Sequence, residues 1–423
     1  MTEQDLQGRR LADLAPGDLV RSCKYIEMGS CFALEGIRSC VHGTIQSRVL
    51  VTAEEIRTGA VTYDLVVQRR KSLFAALNGL ADGHGPTDPC ATCAHLKQVK
   101  YKDVNFEYVG GEPLPAGLNI QHYTECNQRC SYCDYAQKDR MFKVQYNMLD
   151  YLDLFRKVGK LRGNNWVDFS GGEPAIFPEF PTILHYLLDN KMGTVVVFSN
   201  ALRFSQTIYD ALKENRIILV TSLDTGIASS YKKLRGGNFF PKVIRNLIRY
   251  RNSGTKQLWL KFIVTDLNRT EDDLWSFVLA MLALRPDRLL ICPDFPYTAP
   301  EVPAETTKFV ARLWYILEKL TGITPLDYVS EFGDPLWLKY HASLKQALDE
   351  VYQKKPLGDE CKIEKLAFPP PAFAPSPLHR RVIAAKRRVW GSDLRKRILP
   401  VGSAGEARAR QAWRRTFGRL FSE

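Results

Sequence analysis

No stretch of this 423-residue chain approaches the roughly 18 consecutive apolar residues that a membrane-spanning helix needs. The opening residues MTEQDLQGRR are not followed by the apolar core of a secretory leader, so the expected location is the cytoplasm. Histidine is scarce: there are seven, none at metal-ligand spacing, which argues against a histidine-based metal centre. No internal repeat is found, so a solenoid is not expected. Disorder is not expected over most of the chain either, because hydrophobic residues make up 45% of it. The length fits one barrel-sized domain with appendages.

What is present is concentrated. The chain has ten cysteines and a formal net charge of +13. In a cytosolic protein of this size, clustered cysteines point to metal or redox chemistry rather than disulfides. Residues 375–423 carry 13 Lys/Arg against 3 Asp/Glu, a surplus of ten, so the rest is close to neutral. Such a tail is either a solvated terminus or a contact for a polyanion.

Three sections are expected: residues 1–112, rich in cysteine; residues 113–322; and residues 323–423, with a Pro-rich linker at 369–377 and the basic tail. Gly110-Gly111-Glu112-Pro113 breaks the chain before the middle section. Ser47–Thr52 has a strand-like composition. In the middle section, short apolar runs at 118–123, 166–170, 194–199, 217–222, 258–264 and 288–292 read as strands. Amphipathic stretches at 147–161, 239–250 and 270–284 read as helices between them. This alternation implies a parallel sheet. The expected fold class is α/β, a partial (β/α)6 TIM-like barrel with a cysteine-containing N-terminal domain and a basic C-terminal extension. Its active site would lie at the C-terminal ends of the strands.

The most specific motif is Cys126-Asn127-Gln128-Arg129-Cys130-Ser131-Tyr132-Cys133, directly after the first of these strands. Soft thiolates suit an iron–sulfur cluster. A structural zinc site or a disulfide loop is the other reading, but zinc sites normally take four protein ligands. Three thiolates leave one iron of a [4Fe–4S] cluster open to a small molecule. Here the chain resembles the radical S-adenosylmethionine (SAM) superfamily, whose signature is C-x3-C-x2-C with an aromatic residue before the last Cys, filled by Tyr132. The resemblance implies that the open iron chelates SAM. It also implies that an electron from the cluster cleaves SAM to methionine and a 5′-deoxyadenosyl radical, which then takes hydrogen from a substrate.

Other segments agree with the resemblance. Ser170-Gly171-Gly172-Glu173-Pro174 ends the second strand and matches the family's GGEP motif, implying contact with the SAM amino group; residues 110–113 repeat the four letters in a different context. Ser199-Asn200 is read either as a contact near the SAM ribose or as a helix N-cap. The stretch Ser222-Leu223-Asp224, with Arg235 further on, is similar to the segment lining the pocket in SPASM and twitch members, which carry auxiliary clusters. Arg235 is then a contact to the SAM carboxylate or a surface residue. Asp224 is a candidate substrate ligand or a turn residue. Cys292, ending the sixth strand, is a candidate hydrogen-atom donor, a cluster ligand or a core residue. Cys31, Cys40, Cys90 and Cys93 would complete a four-ligand auxiliary site for iron–sulfur or zinc, although SPASM cysteines normally follow the barrel and these precede it. Cys23 and Cys361 are left unassigned.

Two readings follow. The first is a radical SAM enzyme of oxidoreductase, epimerase or maturase type, acting on a peptide or sugar-like metabolite and drawing electrons from flavodoxin or ferredoxin. The second is a non-catalytic module that binds SAM and a cluster and docks on a polyanion through its tail. The three-cysteine loop together with 171–174 favours the enzyme. No separate cobalamin-binding domain is evident in residues 1–112.

Overall fold

The computed structural model describes residues 6–40, 49–84, 90, 93, 95–106, 118–133, 144–159, 165–294, 302–327 and 338–354. The break at 110–113, the Pro-rich stretch, Cys361 and the basic tail lie outside the described residues. Two compact units emerge, one of Met1–Cys126 with Arg140–Phe198, the other of Asn127–Asp139 with Ser199–Glu423. This division differs from the expected one at 112 and 322.

In the first unit, β1 (Leu19–Ser22) leads into the short helix α1 (Lys24–Met28). Strands β2 (Ser30–Ala33), β3 (Gly36–Arg38) and β4 (Val49–Thr52) follow, then helices α2 (Ala53–Arg57) and α3 (Tyr63–Leu77). β5 (Lys97–Lys100) pairs antiparallel with β1, Ser22 opposite Lys97. Then come β6 (Leu118–Ile120), α4 (Met148–Lys157), β7 (Asn165–Phe169), α5 (Phe180–Asp189) and β8 (Gly193–Phe198). The strand order is β8-β7-β6-β2-β3-β4. β2 pairs parallel with β6, which draws N-terminal strands into one unit with β6, β7 and β8. That pairing is non-local and leaves no signature in either segment. Gly36 sits at φ 141°, where a Cβ would stand 2.0 Å from Val51 O, so the β3–β4 hairpin needs glycine there. On α4, Asn147 caps the first turn by accepting from Leu149 N, while Met148, Tyr151, Leu152 and Phe155 form the buried face.

The second unit holds α6 (Gln206–Lys213), β9 (Ile217–Ser222), α7 (Ala228–Arg235), α8 (Phe240–Arg251) and β10 (Leu258–Val264). After these come α9 (Glu271–Leu284), β11 (Arg288–Pro293), α10 (Ala304–Thr321), β12 (Leu326–Asp327) and α11 (Leu338–Lys354). Its strands run in the order β12-β11-β10-β9, every pairing parallel. Helical crossovers between parallel strands cover the sheet faces, so the strands are mostly apolar; in β10, Leu-Trp-Leu-Lys-Phe-Ile-Val, only Lys261 is charged. α9 begins at Thr270, which accepts from Asp273 N, and places three acids in the first turn against the positive end of the helix dipole.

All six strands expected between 118 and 292 are present and in order. β12 and the N-terminal β1, β2, β3 and β5 were not anticipated. Among the described residues neither set of strands closes into a barrel; each is an open, mostly parallel α/β arrangement. No helix among them is long and apolar enough to cross a membrane.

Candidate active site

The segment Asn127–Cys133 is pinned to the end of α7. The last carbonyls of a helix have no partner inside it, and here the loop supplies them: Arg129 N donates to Arg235 O at 3.3 Å and Ser131 N to Leu234 O at 2.8 Å. Gly236 then takes φ 77°, and a Cβ there would sit 2.7 Å from Arg129 O, so glycine is needed for both the turn and the close approach. Gln128 adds a buried tie, Nε2 to Tyr231 Oη at 2.9 Å.

On this scaffold five predicted residues meet: Cys130, Tyr132, Ser222, Asp224 and Arg235. Arg235 is 5% exposed and Asp224 is fully buried. Arg235 Nη2 bonds Asp224 Oδ2 at 2.5 Å and also the Ser222 carbonyl. Nη1 lies 3.3 Å from Cys130 Sγ. Tyr132 Oη donates to Asp224 Oδ2 at 2.6 Å, and the guanidinium stands over the Tyr132 ring at 5.2 Å. The other Asp224 oxygen accepts from Ile263 N at 2.8 Å. Arg235 is therefore no surface residue, and the Asp224 carboxylate is fully engaged with protein donors. Asp224 itself has φ 60°, a conformation held by Asn268, whose Nδ2 donates to Asp224 O at 2.7 Å and to Ile263 O at 2.8 Å. Burial pushes the Cys130 thiol up, and the neighbouring guanidinium pulls it back toward thiolate. Among iron–sulfur ligands a thiolate is required, so a buried cation beside Cys130 fits the donor chemistry of a cluster.

Gly171–Pro174 lies in the first unit, where its main chain is zipped to the segment that ends at Cys126. Ser170 N donates to Ile120 O at 3.2 Å, Gly172 N to Tyr123 O at 2.8 Å and Glu173 N to Glu125 O at 2.8 Å. A Cβ on Gly171 would meet Tyr123 O at 2.3 Å, and one on Gly172 would meet Glu125 O at 2.1 Å. The two glycines thus serve a backbone-to-backbone approach. Glu173, 1% exposed, caps the turn at Pro174–Ile176 by accepting from Ala175 N at 3.0 Å. Beneath lies a polar set absent from the sequence expectations. Asp168 accepts from Asn119 Nδ2 at 2.5 Å and from Ser170 Oγ, and Gln121 Nε2 reaches Ser170 Oγ at 3.2 Å. Burial pushes the Asp168 carboxyl up to about 6 despite these donors. One signal was legible: an acid on an otherwise apolar strand, Trp-Val-Asp-Phe.

In the second unit, Ser199 Oγ accepts from Ala201 N at 3.1 Å, and Asn200 Nδ2 donates to Asn127 Oδ1 in the cysteine loop at 2.7 Å. The N-cap of α6 is Ser205, so the capping reading of 199–200 is overturned. Cys292 is buried on β11, opposite Ile263. Burial pushes its thiol up to about 11, while Lys261 opposes this by charge and hydrogen bond. Asp327, next in the sheet, pairs with His341 Nδ1 at 3.0 Å.

The N-terminal cysteines separate into two environments. Cys31 is 1% exposed, on β2 between β3 and β6, its Sγ 3.9 Å from Gln121 Oε1; burial pushes it up to about 12. Cys23 is the N-cap of α1 and accepts from Ile26 N at 3.4 Å. Burial pushes Cys23 up to about 11, with the nearby thiols of Cys90 and Cys93 adding to the rise. Burial likewise lifts the Tyr25 hydroxyl to about 12, helped by Cys40, Cys23 and Cys93. Among the described residues no three His, Cys, Asp or Glu side chains already stand in metal-ligating geometry.

Residues 120–280 match the sequence profile of the radical SAM superfamily. Among curated relatives, the GTP 3′,8-cyclase of Psychromonas ingrahamii is 26% identical over 182 residues, 41% of this chain and 49% of its own length. That of Synechocystis sp. is 26% identical over 157 residues, 36% and 47% of the two. The chain spans about half the length of the curated relatives it matches. Among solved structures, Streptococcus suis SuiB bound to precursor peptide SuiA aligns at TM-score 0.43 and 18% identity, over 54% of this chain and 51% of that one. Native anSMEcpe with bound AdoMet aligns at TM-score 0.40 and 17% identity, over 49% and 62%. The resemblance to that superfamily is confined to residues 120–280, which carry the cysteine loop and the Gly171–Pro174 turn.

Proposed function

We propose that the protein is a radical SAM enzyme that cleaves SAM reductively and takes a hydrogen atom from an organic substrate, peptide or sugar-like. The observation that carries the reading is the buried guanidinium of Arg235 held beside Cys130 inside a three-cysteine loop. Cys126, Cys130 and Cys133 would hold the cluster, a reading that rests on their spacing and on the family match around them. When bound, the cluster and SAM supply the electron and the 5′-deoxyadenosyl group.

The chain's own residues hold and orient. Ser170, Gly171, Gly172, Glu173 and Pro174 form a rigid turn for the SAM amino group in the first unit. In the second, Asp224 is a positioning residue for Arg235 and Tyr132 rather than a free substrate ligand, and Ser222 anchors the guanidinium through its carbonyl. Asn200 braces the cysteine loop through Asn127, and Ser199 holds the turn beside it by accepting from Ala201 N, near the place the SAM ribose would take. Cys292, beside Lys261, is a candidate donor of a hydrogen atom to a substrate radical, a step that needs its thiyl returned to the thiol by one proton and one electron, the electron coming from the donor that serves the cluster, such as flavodoxin or ferredoxin. The relatives' names carry a GTP-directed reaction, so nucleoside triphosphates join peptides and sugar-like metabolites in a substrate screen. A polyanion contact by the tail of residues 375–423 remains a charge-based proposal.

The test is anaerobic purification and reconstitution, followed by iron per chain and 5′-deoxyadenosine formed from SAM and a reductant. The variant with Cys126, Cys130 and Cys133 all changed to Ala runs beside it. Nucleoside from the parent alone, with about four irons lost in the variant, supports the enzyme. A full cluster without SAM cleavage points instead to a non-catalytic binding module.

A further inference from the structure

We propose that Cys23, Cys40, Cys90 and Cys93 form a tetrathiolate metal site around the start of α1, with Cys23 in the place that sequence spacing suggested for Cys31. Four separate contacts of the fold bring these segments together. The β1–β5 register sets Ser22 opposite Lys97, so Cys23 emerges beside the chain entering β5. Two hydrogen bonds link Cys90 and Cys93 to that chain, Leu96 N to Cys93 O at 3.0 Å and Cys93 N to Cys90 O at 3.1 Å. The rings of Tyr25 and His95 meet edge to face at 5.4 Å, which ties α1 to the residues just after Cys93. On the other side, a Cβ on Gly29 would stand 2.4 Å from Ser39 O and 2.9 Å from Tyr25 Cα, so the segment carrying Cys40 runs against the same helix.

The helix itself is fixed. Arg70, fully buried on α3, donates to Tyr25 O, Ile26 O and Gly29 O at 3.3, 3.2 and 2.5 Å, satisfying carbonyls that a five-residue helix leaves open. Glu27 accepts from Ser22 Oγ at 2.8 Å and Asn105 N at 3.1 Å. Cys23, Cys40, Cys90 and Cys93 are all partly accessible, whereas Cys31 is buried. Cys31 lies on β2 against Gln121, in a different sheet from the two-stranded β1–β5 ribbon. Four thiolates, two of them in a CxxC pair, suit zinc or an iron–sulfur cluster. No three of these side chains stand in ligating geometry among the described residues, so metal uptake has to draw the thiols together.

The test uses the full chain with Cys126, Cys130 and Cys133 changed to Ala, so that any remaining metal belongs elsewhere. Zinc and iron are counted by mass spectrometry after anaerobic expression, and visible absorbance separates a cluster from zinc. The expected result is about one zinc or about four irons per chain. Adding Cys23→Ser or Cys93→Ser abolishes that metal, and adding Cys31→Ser leaves it. Ser at position 23 keeps an N-cap oxygen for Ile26 N, so folding survives; circular dichroism of each variant checks this, and Cys40→Ser serves if one fails. A metal-free parent, or metal lost with Cys31→Ser and kept with Cys23→Ser, overturns the proposal. SAM cleavage is not read, so the outcome is independent of the enzymatic reading.

Discussion

Replacing Asp224 by Ala should be among the most damaging single changes in the second unit. The carboxylate is fully buried and accepts from Arg235 at 2.5 Å, Tyr132 at 2.6 Å and Ile263 N at 2.8 Å. Alanine leaves a buried guanidinium without its counter-charge, a loss of about 3–5 kcal/mol. The orphaned Ile263 N–H adds roughly 1–3 kcal/mol. Arg235 keeps the Ser222 carbonyl and the Cys130 contact, so the expected total is near the lower end, about 4 kcal/mol. The assay is a double-mutant cycle of Asp224→Ala and Arg235→Met by urea unfolding, followed by circular dichroism and by fluorescence to verify a shared transition. Removing both partners deletes the buried charge, so the double variant should be less destabilised than the sum of the singles by about 1–3 kcal/mol. Additivity to within about 0.5 kcal/mol would refute the claim that the two residues act as a pair. Arg235→Met should in addition lower iron retention, because the Cys130 thiol loses the cation that opposes its rise by burial.

Gly172→Ala places a Cβ 2.1 Å from Glu125 O, against main chain that cannot rotate away. A loss of about 1–3 kcal/mol in unfolding free energy is expected, together with weaker SAM binding by calorimetry; an unchanged stability would contradict the zipper between 120–125 and 170–173. Asp168 gives a pH signature. Its carboxyl is pushed up to about 6 in the fold from an ordinary value near 4, so the folded state binds the extra proton. Its contribution is complete below about pH 4 and is lost as the pH rises through about 6, by roughly 3 kcal/mol. The stability of the parent minus that of Asp168→Asn should therefore fall between pH 4 and 7, and a flat difference would rule the assignment out. For Cys292→Ser the expected outcome is 5′-deoxyadenosine formation with loss of product once a substrate is found; unaltered product yield would make Cys292 a core residue.

Much of this was written locally. The strands at 118–120, 165–169, 193–198, 217–222, 258–264 and 288–293 were legible because a parallel strand covered on both faces is an apolar run between polar turns. The caps Asn147 and Thr270 sit where the helical patterns begin. The cysteine loop was legible because one chain segment carries all three thiols. The rest depends on partners far apart in the chain. Tyr132 and Asp224 are separated by 92 residues, and nothing in either segment tells that Asp224 is spent on protein donors or that Arg235 is buried.

By itself, then, the sequence determined the order of the parallel strands and the placing of three thiols on one loop, since each of these is a short-range pattern of residue types. Tertiary structure alone decided that β2 joins β6, that the two glycines of 171–172 serve main-chain contact, that Asp168 is buried against Ser170, and that Cys31 is buried on β2. The physical reason is common to all four. Burial, register and charge compensation are properties of which segments lie side by side, and a single chain read in order does not encode its neighbours in any one place.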